Sequence, residues 1–381
     1  MAMVRVPITN VYMGGDYTAT ILVGPNKQPM NVILDTGSSA LALDGHKYKP
    51  NLRRGDKSTK LAQTDAYGDG STWTGSVFKL SISIGEGGTV VTLPDADASV
   101  AYQQSASMFQ SSDGILGLAY APLDDAFEMP KDTWKHKYSS TEVRGGTRTN
   151  LVPFLTQLAD ERVTSDIISF VTRRSFIHEG SGGAADPLNQ GWMIVGGGEE
   201  ATDLYSGSFQ SVKVVSDDWW STVLKSVTVG GTAPIMARLQ GPQGMASNSI
   251  IDSGTNSLNI SPQMLAAMLA KFSAKQQALL MRSIHDNQLV AVSELDLASW
   301  PDLTFVLEGA DGPDVSLVVR PTDYWQVNTE RVGAAMAAIT VGQPGLAILG
   351  LPIMNGYFTI FDGEAAGGKG VIKFATVTPI A

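Results

Sequence analysis

The chain reads as a mostly β protein built as two lobes, and three observations carry that prediction. Its 381 residues exceed what one ordinary hydrophobic core organises, so two lobes are expected. Forty glycines and eighteen prolines separate short runs of Val, Ile, Thr and Ser, a pattern of brief strands and turns rather than long amphipathic helices. One stretch also occurs twice. Val32-Ile33-Leu34-Asp35-Thr36-Gly37-Ser38-Ser39 is repeated in plan by Ser249-Ile250-Ile251-Asp252-Ser253-Gly254-Thr255-Asn256: an apolar strand, a carboxylate, a hydroxyl residue, glycine and a second hydroxyl residue.

In order along the chain, a short strand is expected at residues 3–9. Residues 17–23 alternate at period 2 before the Gly24-Pro25-Asn26 turn, and residues 31–34 form a buried strand running into Asp35. Glycines flank Asp69 in Tyr67-Gly68-Asp69-Gly70-Ser71, which predicts a hairpin tip followed by a strand at 76–84. Asp113-Gly114-Ile115-Leu116-Gly117-Leu118 is echoed by Ala347-Ile348-Leu349-Gly350-Leu351, so a second motif pair keeps its order relative to each Asp, and the chain is an internal duplication. The polar segment 123–149 is expected to be a long surface loop. A helix is expected over 150–161, with Pro153 in its first turn. A strand is expected at 192–195, where the lobes join, and another at 210–215. Ser261-Pro262 predicts a capped start for one helix over 264–284, and residues 356–377 alternate as strands.

Composition narrows the function. With 37 acidic against 27 basic residues and a net charge of −10, a sequence-independent hold on nucleic acid or anionic lipid is not expected. There is no cysteine, hence no thiolate nucleophile, disulfide framework or Cys-based zinc site. No apolar run approaches the ~18 residues of a membrane span, and the N-terminus carries no signal-like apolar core, so a cytoplasmic protein is expected, with a secreted mature form as the alternative. His46, His136, His178 and His285 lack metal-ligand spacing, so neither a metal nor another cofactor is expected. No nucleophile elbow or phosphate-binding loop is present.

Taken together, Asp35-Thr36-Gly37-Ser38-Ser39, Asp252-Ser253-Gly254-Thr255, Tyr67-Gly68-Asp69-Gly70-Ser71 and the two Ile-Leu-Gly elements resemble the catalytic loops, flap and supporting segments of pepsin-like aspartic endopeptidases. The cysteine-free chain is more similar to cytoplasmic bacterial pepsin homologues of the shewasin type. The resemblance implies a bilobal pepsin-like fold, two pseudo-twofold-related β-barrel-like lobes sharing an interdomain sheet. Residues 1–200 would hold the first Asp loop and the flap, and residues 201–381 the second Asp loop. It implies Asp35 and Asp252 as the catalytic pair, Tyr67, Gly68 and Asp69 as the flap that binds substrate, and Ile33 and Ile115 as candidate primary-pocket residues, with Met108 and Phe109 beside them. Substrate would be a peptide or protein, a statine-type peptide inhibitor would bind, and a monomer would contain both half-sites. One departure is Ala42, where many relatives carry the tryptophan that bonds the flap tyrosine; Trp73 or another group would have to take its place.

The chemistry explains the residue types. Hydrolysing a peptide without metal or nucleophilic side chain needs a base to activate water and an acid to protonate the carbonyl, and two carboxyls sharing one proton supply both. At about 3 Å and an effective dielectric near 20, two full charges repel by roughly 5 kcal/mol, enough to hold one proton over a wide acid range. Gly37 and Gly254 let the backbone approach each carboxylate. Thr36 and Ser253 are expected to exchange hydrogen bonds between the loops, and Ser38 and Thr255 to donate to the outer carboxylate oxygens. Two alternatives stand beside an endopeptidase cutting between bulky apolar residues at acid pH. One is a pepsin-fold peptide-binding or inhibitor protein with weak or no turnover, and the other is a glycosidase pair, which needs carboxyls at least ~5 Å apart.

Overall fold

The computed structural model describes residues 1–106, 108–180, 182–238, 241 and 246–379. The first half supplies strands β1 (Val4–Met13), β2 (Asp16–Val23), β3 (Gln28–Asp35), β4 (Leu41–Asp44), β5 (Lys57–Ala66), β6 (Thr72–Glu86), β7 (Thr89–Gln104), β8 (Gly114–Gly117), β9 (Asp125–Glu128), β10 (Thr147–Asn150), β11 (Ile167–Val171) and β12 (Gln190–Val195). All join one fifteen-stranded sheet, ordered β10-β9-β5-β6-β7-β4-β8-β3-β2-β1-β12-β11, which continues through Tyr357–Asp362, Val371–Val377 and Tyr205–Lys213. Tyr357–Asp362 thus pairs with β11 of the first half, and one sheet spans both lobes of this mostly β, bilobal molecule. The rest of the second half builds smaller sheets of five, four and three strands.

β3 accounts for the unbroken apolar run before Asp35. Val32 and Leu34 enter the main core, while Ile33 points the other way into a smaller cluster with Ala42, Trp73, Met108, Phe109 and Ile115. A strand covered on both faces has no solvent side on which to alternate. β3 pairs in parallel with β8, Ile33 opposite Ile115 and Asp35 opposite Gly117; the short strand Ser249–Ile251 pairs in parallel with Ala347–Leu349. In each half a further strand runs antiparallel to the Ile-Leu-Gly strand, β4 in the first and Leu258–Ile260 in the second. The two motif pairs of the sequence are therefore two copies of one strand arrangement.

Three expectations need correction. Residues 123–149 are not a bare surface loop: β9 pairs with β5 and β10, the helix Ser140–Arg144 follows, and Met129, Tyr138 and Val143 form a small core with Ala62. Trp134 meets Phe78 edge-on at 5.4 Å. The segment's polar residues concealed a few widely spaced apolar anchors. The predicted helix over 264–284 is two, Pro262–Leu269 and Ala274–Ile284, because Ser273 starts the second with a reciprocal cap on Gln276; Ser261 makes no side-chain cap. The helix expected over 150–161 is confined to Phe154–Asp160, with Pro153 at its cap and Asn150 held in β10.

Candidate active site

Each aspartate stands where a strand ends on a parallel pair, and the main chain turns back beneath it. Leu118 N donates to Asp35 O (2.8 Å), and Asp252 N donates to Leu349 O (3.1 Å). The Ile-Leu-Gly glycines are required by contact: a Cβ on Gly117 would lie 2.3 Å from the Ser39 carbonyl carbon, and one on Gly350 2.1 Å from Thr255 O. These elements lie beneath the loops with no room for a side chain.

The loops interlock. Gly37 N donates to Asp35 Oδ1 (2.8 Å), and Gly254 N to Asp252 Oδ1 (2.9 Å). Ser38 Oγ donates to Asp35 Oδ2, and Thr255 Oγ1 to Asp252 Oδ2 (2.7 Å). Across the pseudo-twofold, Ser253 N donates to Thr36 Oγ1 (2.8 Å) and Thr36 N to Ser253 Oγ (3.1 Å). The same hydroxyls donate onward, Thr36 Oγ1 to Ile251 O (3.1 Å) and Ser253 Oγ to Leu34 O (2.8 Å). Each glycine faces the opposite carboxylate: a Cβ on Gly37 would lie 2.7 Å from the Asp252 carboxyl, and one on Gly254 2.3 Å from Asp35 Oδ1. This close approach is what glycine at both positions permits.

Asp35 and Asp252 are 6% and 7% exposed. Burial first, and then the Asp252 charge, push the Asp35 carboxyl well above the usual carboxylate range; Ser38 and Gly37 oppose the shift, and a hydrogen bond with Asp252 adds to it. The two carboxyls are thus within hydrogen-bonding reach and disfavour ionising together.

Above them, the turn between β5 and β6 carries Tyr67, Gly68 and Asp69, all of which line the cleft. Tyr67 N donates to Ser71 O and Gly70 N to Tyr67 O, which closes the tip. Trp73 Nε1 donates to Tyr67 Oη at 3.2 Å, so a tryptophan six residues along takes over from the position occupied by Ala42. Ser38, which holds Asp35, acts on the same tyrosine hydroxyl. Trp73, Tyr67, Ser38 and Asp35 are thus neighbours in one polar cluster.

The cleft, about 840 Å³, is lined by both loops, the flap, Ile33, Ile115 and Met108; Phe109 lies buried behind them in the same cluster. A sequence model of the eukaryotic aspartyl proteases matches residues 16–137 and 184–376, most of the chain and all of the elements just described. The chain belongs to this family. Among curated proteins it is 25% identical to gastricsin of Suncus murinus over 96% of this chain and 82% of the relative, 24% identical to pepsin A of Suncus murinus over 93% and 80%, and 25% identical to gastricsin of Rattus norvegicus over 92% and 79%. The aspartyl protease family is one of pepsin-like peptide hydrolases.

Two further cleft residues were given no role from the sequence. Asp16 lies at the edge of the cleft with Oδ1 buried and unpartnered among the described residues; burial, then Asp252 and Asp69, push its carboxyl well above the usual range. Trp219 lines the cleft from the second half and donates through Nε1 to Gly37 O (3.0 Å). Neither lies in a duplicated motif, so only the adjacent Gly14-Gly15 and the Trp219-Trp220 pair could have drawn attention to them. Of the histidines, His46, His136 and His285 are exposed, whereas His178 pairs with Asp186 at 2.7 Å. Among the described residues no group of His, Asp and Glu could hold a metal, and no helix is long and apolar enough to cross a membrane.

Proposed function

We propose that this protein is an aspartic endopeptidase that cleaves extended peptides between bulky hydrophobic residues at acidic pH. The observation that carries the reading is the reciprocal loop pair, which puts two buried carboxyls within hydrogen-bonding reach and surrounds each with its own amide and hydroxyl donor. In the mechanism we propose, the pair holds one proton, Asp35 favouring the protonated form through its burial. The ionised partner takes a proton from water as it attacks the scissile carbonyl, and the protonated one donates to the carbonyl oxygen. Tyr67 and Asp69 close over the peptide and exclude solvent, while Ile33, Ile115 and Met108 give the cleft its apolar wall, the basis for the side-chain preference.

The glycosidase reading loses its support, because a shared hydrogen bond is incompatible with a carboxyl separation of ~5 Å or more. A binding protein without turnover is disfavoured by the flap tyrosine, which has regained a tryptophan donor. We place the lobe boundary near residue 200, after β12, and expect a monomer because one chain carries both half-sites. The absence of cysteine supports a cytoplasmic location. The test is hydrolysis of a peptide with adjacent bulky apolar residues at pH ~4, abolished in Asp35→Ala and in Asp252→Ala. Turnover retained by either variant would refute the assignment.

A further inference from the structure

A second cavity, about 540 Å³, shares no lining residue with the catalytic cleft. It lies over the strands β1, β2, β3 and β12, beside the tip of the β6–β7 hairpin and the segment that follows β11. Arg173, Trp192, Tyr12, Thr9, Asn31 and Glu86 are among its walls.

Arg173 and Arg174 are neighbours held in the same way, both backbone amides donating to Tyr17 Oη (2.9 and 3.3 Å), yet their side chains differ. The Arg174 guanidinium, on a residue 6% exposed, donates to Phe176 O and, at 2.6 Å, to Val327 O. The half-buried Arg173 guanidinium has no hydrogen-bond acceptor, carboxylate or aromatic ring as a partner among the described residues, and burial pulls its pKa below the usual range. In a chain with 37 acids, a partly desolvated cation with no counter-charge is an expense the fold itself does not need. Glu86, the only acid in this lining, makes no ion pair with it. Two further polar atoms on residues of the lining, Thr9 Oγ1 and Asn31 Nδ2, are buried and unpartnered among the described residues. Each can donate, so the unmet capacity of the cavity includes one guanidinium, one amide and one hydroxyl, all of which can serve an acceptor. Trp192 and the exposed ring of Tyr12 add apolar walls.

We propose that this cavity is a second ligand site, which takes a small organic monocarboxylate with an apolar or aromatic body. Arg173 receives the carboxylate through its forked N–H groups, and Trp192 and Tyr12 flank the body. One unpaired cation together with Glu86 suits a single negative charge better than a doubly charged phosphate. The proposal stands apart from the peptidase reading, since no dyad or flap residue takes part.

The test is calorimetric titration of the full chain with N-acetylphenylalanine, and with N-acetylphenylalaninamide, which keeps the body and removes the charge. Saturable binding of the acid is expected, with the amide and the R173Q variant each at least ~10-fold weaker, R173K intermediate, and peptide hydrolysis by R173Q unchanged. Since Arg173 makes no side-chain bond among the described residues and its burial is unfavourable, R173Q should melt at or above the parent's temperature. If it does not, R173K, which keeps the charge but loses the fork, and N31A, expected to weaken binding several-fold, provide the reading. Equal affinity for acid and amide, parental affinity in R173Q, or no saturation by ~10 mM acid would overturn the proposal.

Discussion

Around Asp35 and around Asp252 the chain builds the same object: a strand ending on a parallel Ile-Leu-Gly strand, an amide from the following glycine to one carboxylate oxygen, and a hydroxyl to the other. The halves part company above the loops. Only the first half carries the hairpin with Tyr67 and Asp69, and it is the hydroxyl on Asp35, that of Ser38, that neighbours the tyrosine held by Trp73. Each carboxyl is approached by the opposite loop's glycine, but only the one that faces Asp252, Gly37, has its carbonyl bonded by a tryptophan, Trp219, among the described residues. In the mechanism proposed above, symmetry supplies two equivalent carboxyls, and the unsymmetrical flap gives one of them a lid. A reaction that needs an acid and a base from identical side chains requires both.

Breaking either half of the symmetric part should have the largest effect. Asp35→Asn and Asp252→Asn should each lower kcat by at least ~10³-fold, in steady-state assays at acid pH, because a dyad has no partly working form. A large loss in only one variant would show that the halves are not equivalent.

The next effect is on stability and separates the lobes by pH. Burial, reinforced by neighbouring carboxylates, pushes Asp124 in the first half up to about 7, against the donation of Gln63 Nε2 at 2.6 Å. Burial pushes Asp323 in the second half up to about 6. Both groups bind their proton more tightly folded than unfolded, so their contribution is complete below pH ~4 and is lost as pH rises through 6 and 7. For Asp124 the loss is on the order of 4 kcal/mol. Urea denaturation at pH 4, 5.5 and 7 should show stability falling, and Asp124→Asn should make the slope shallower by that group's own share, on the order of 4 kcal/mol. A slope unchanged in that variant would contradict the assignment.

Smaller effects follow from the cross-loop bonds and the flap. Thr36→Val and Ser253→Ala each remove two buried bonds and should each cost about 1–3 kcal/mol in denaturant midpoints; the four bonds are distinct, but both sets tie the same two loops together, so the double variant should depart from the sum. Full additivity would show that the loops are independent. Trp73→Phe should lower kcat/KM by about tenfold with little change in melting temperature; unaltered kinetics would show that Tyr67 needs no donor.

The sequence exposed the symmetric part well and the unsymmetrical part poorly. Asp35-Thr36-Gly37 and Asp252-Ser253-Gly254 are legible because glycine and hydroxyl residues there answer a local contact, and duplication states the requirement twice. Ile33 and Ile115 were named together only through the family resemblance, and the structure sets them opposite each other on β3 and β8. The Trp73 to Tyr67 bond could be named only as one option, since whether a side chain on β6 reaches the tip depends on the twist and register of the hairpin. Asp16 was invisible because its environment is made by Asp69 and Asp252, both distant in sequence. The β9–β10 extension was missed because its core rests on four residues scattered through polar sequence.

The central claim, that Asp35 and Asp252 act as one proton-sharing pair, is tested most directly by the affinity of a statine-type peptide inhibitor, whose hydroxyl would sit between the two carboxyls. The account predicts tight binding at pH ~4, weaker by at least ~10²-fold in Asp35→Asn and in Asp252→Asn alike. Affinity left unchanged by either substitution would contradict it.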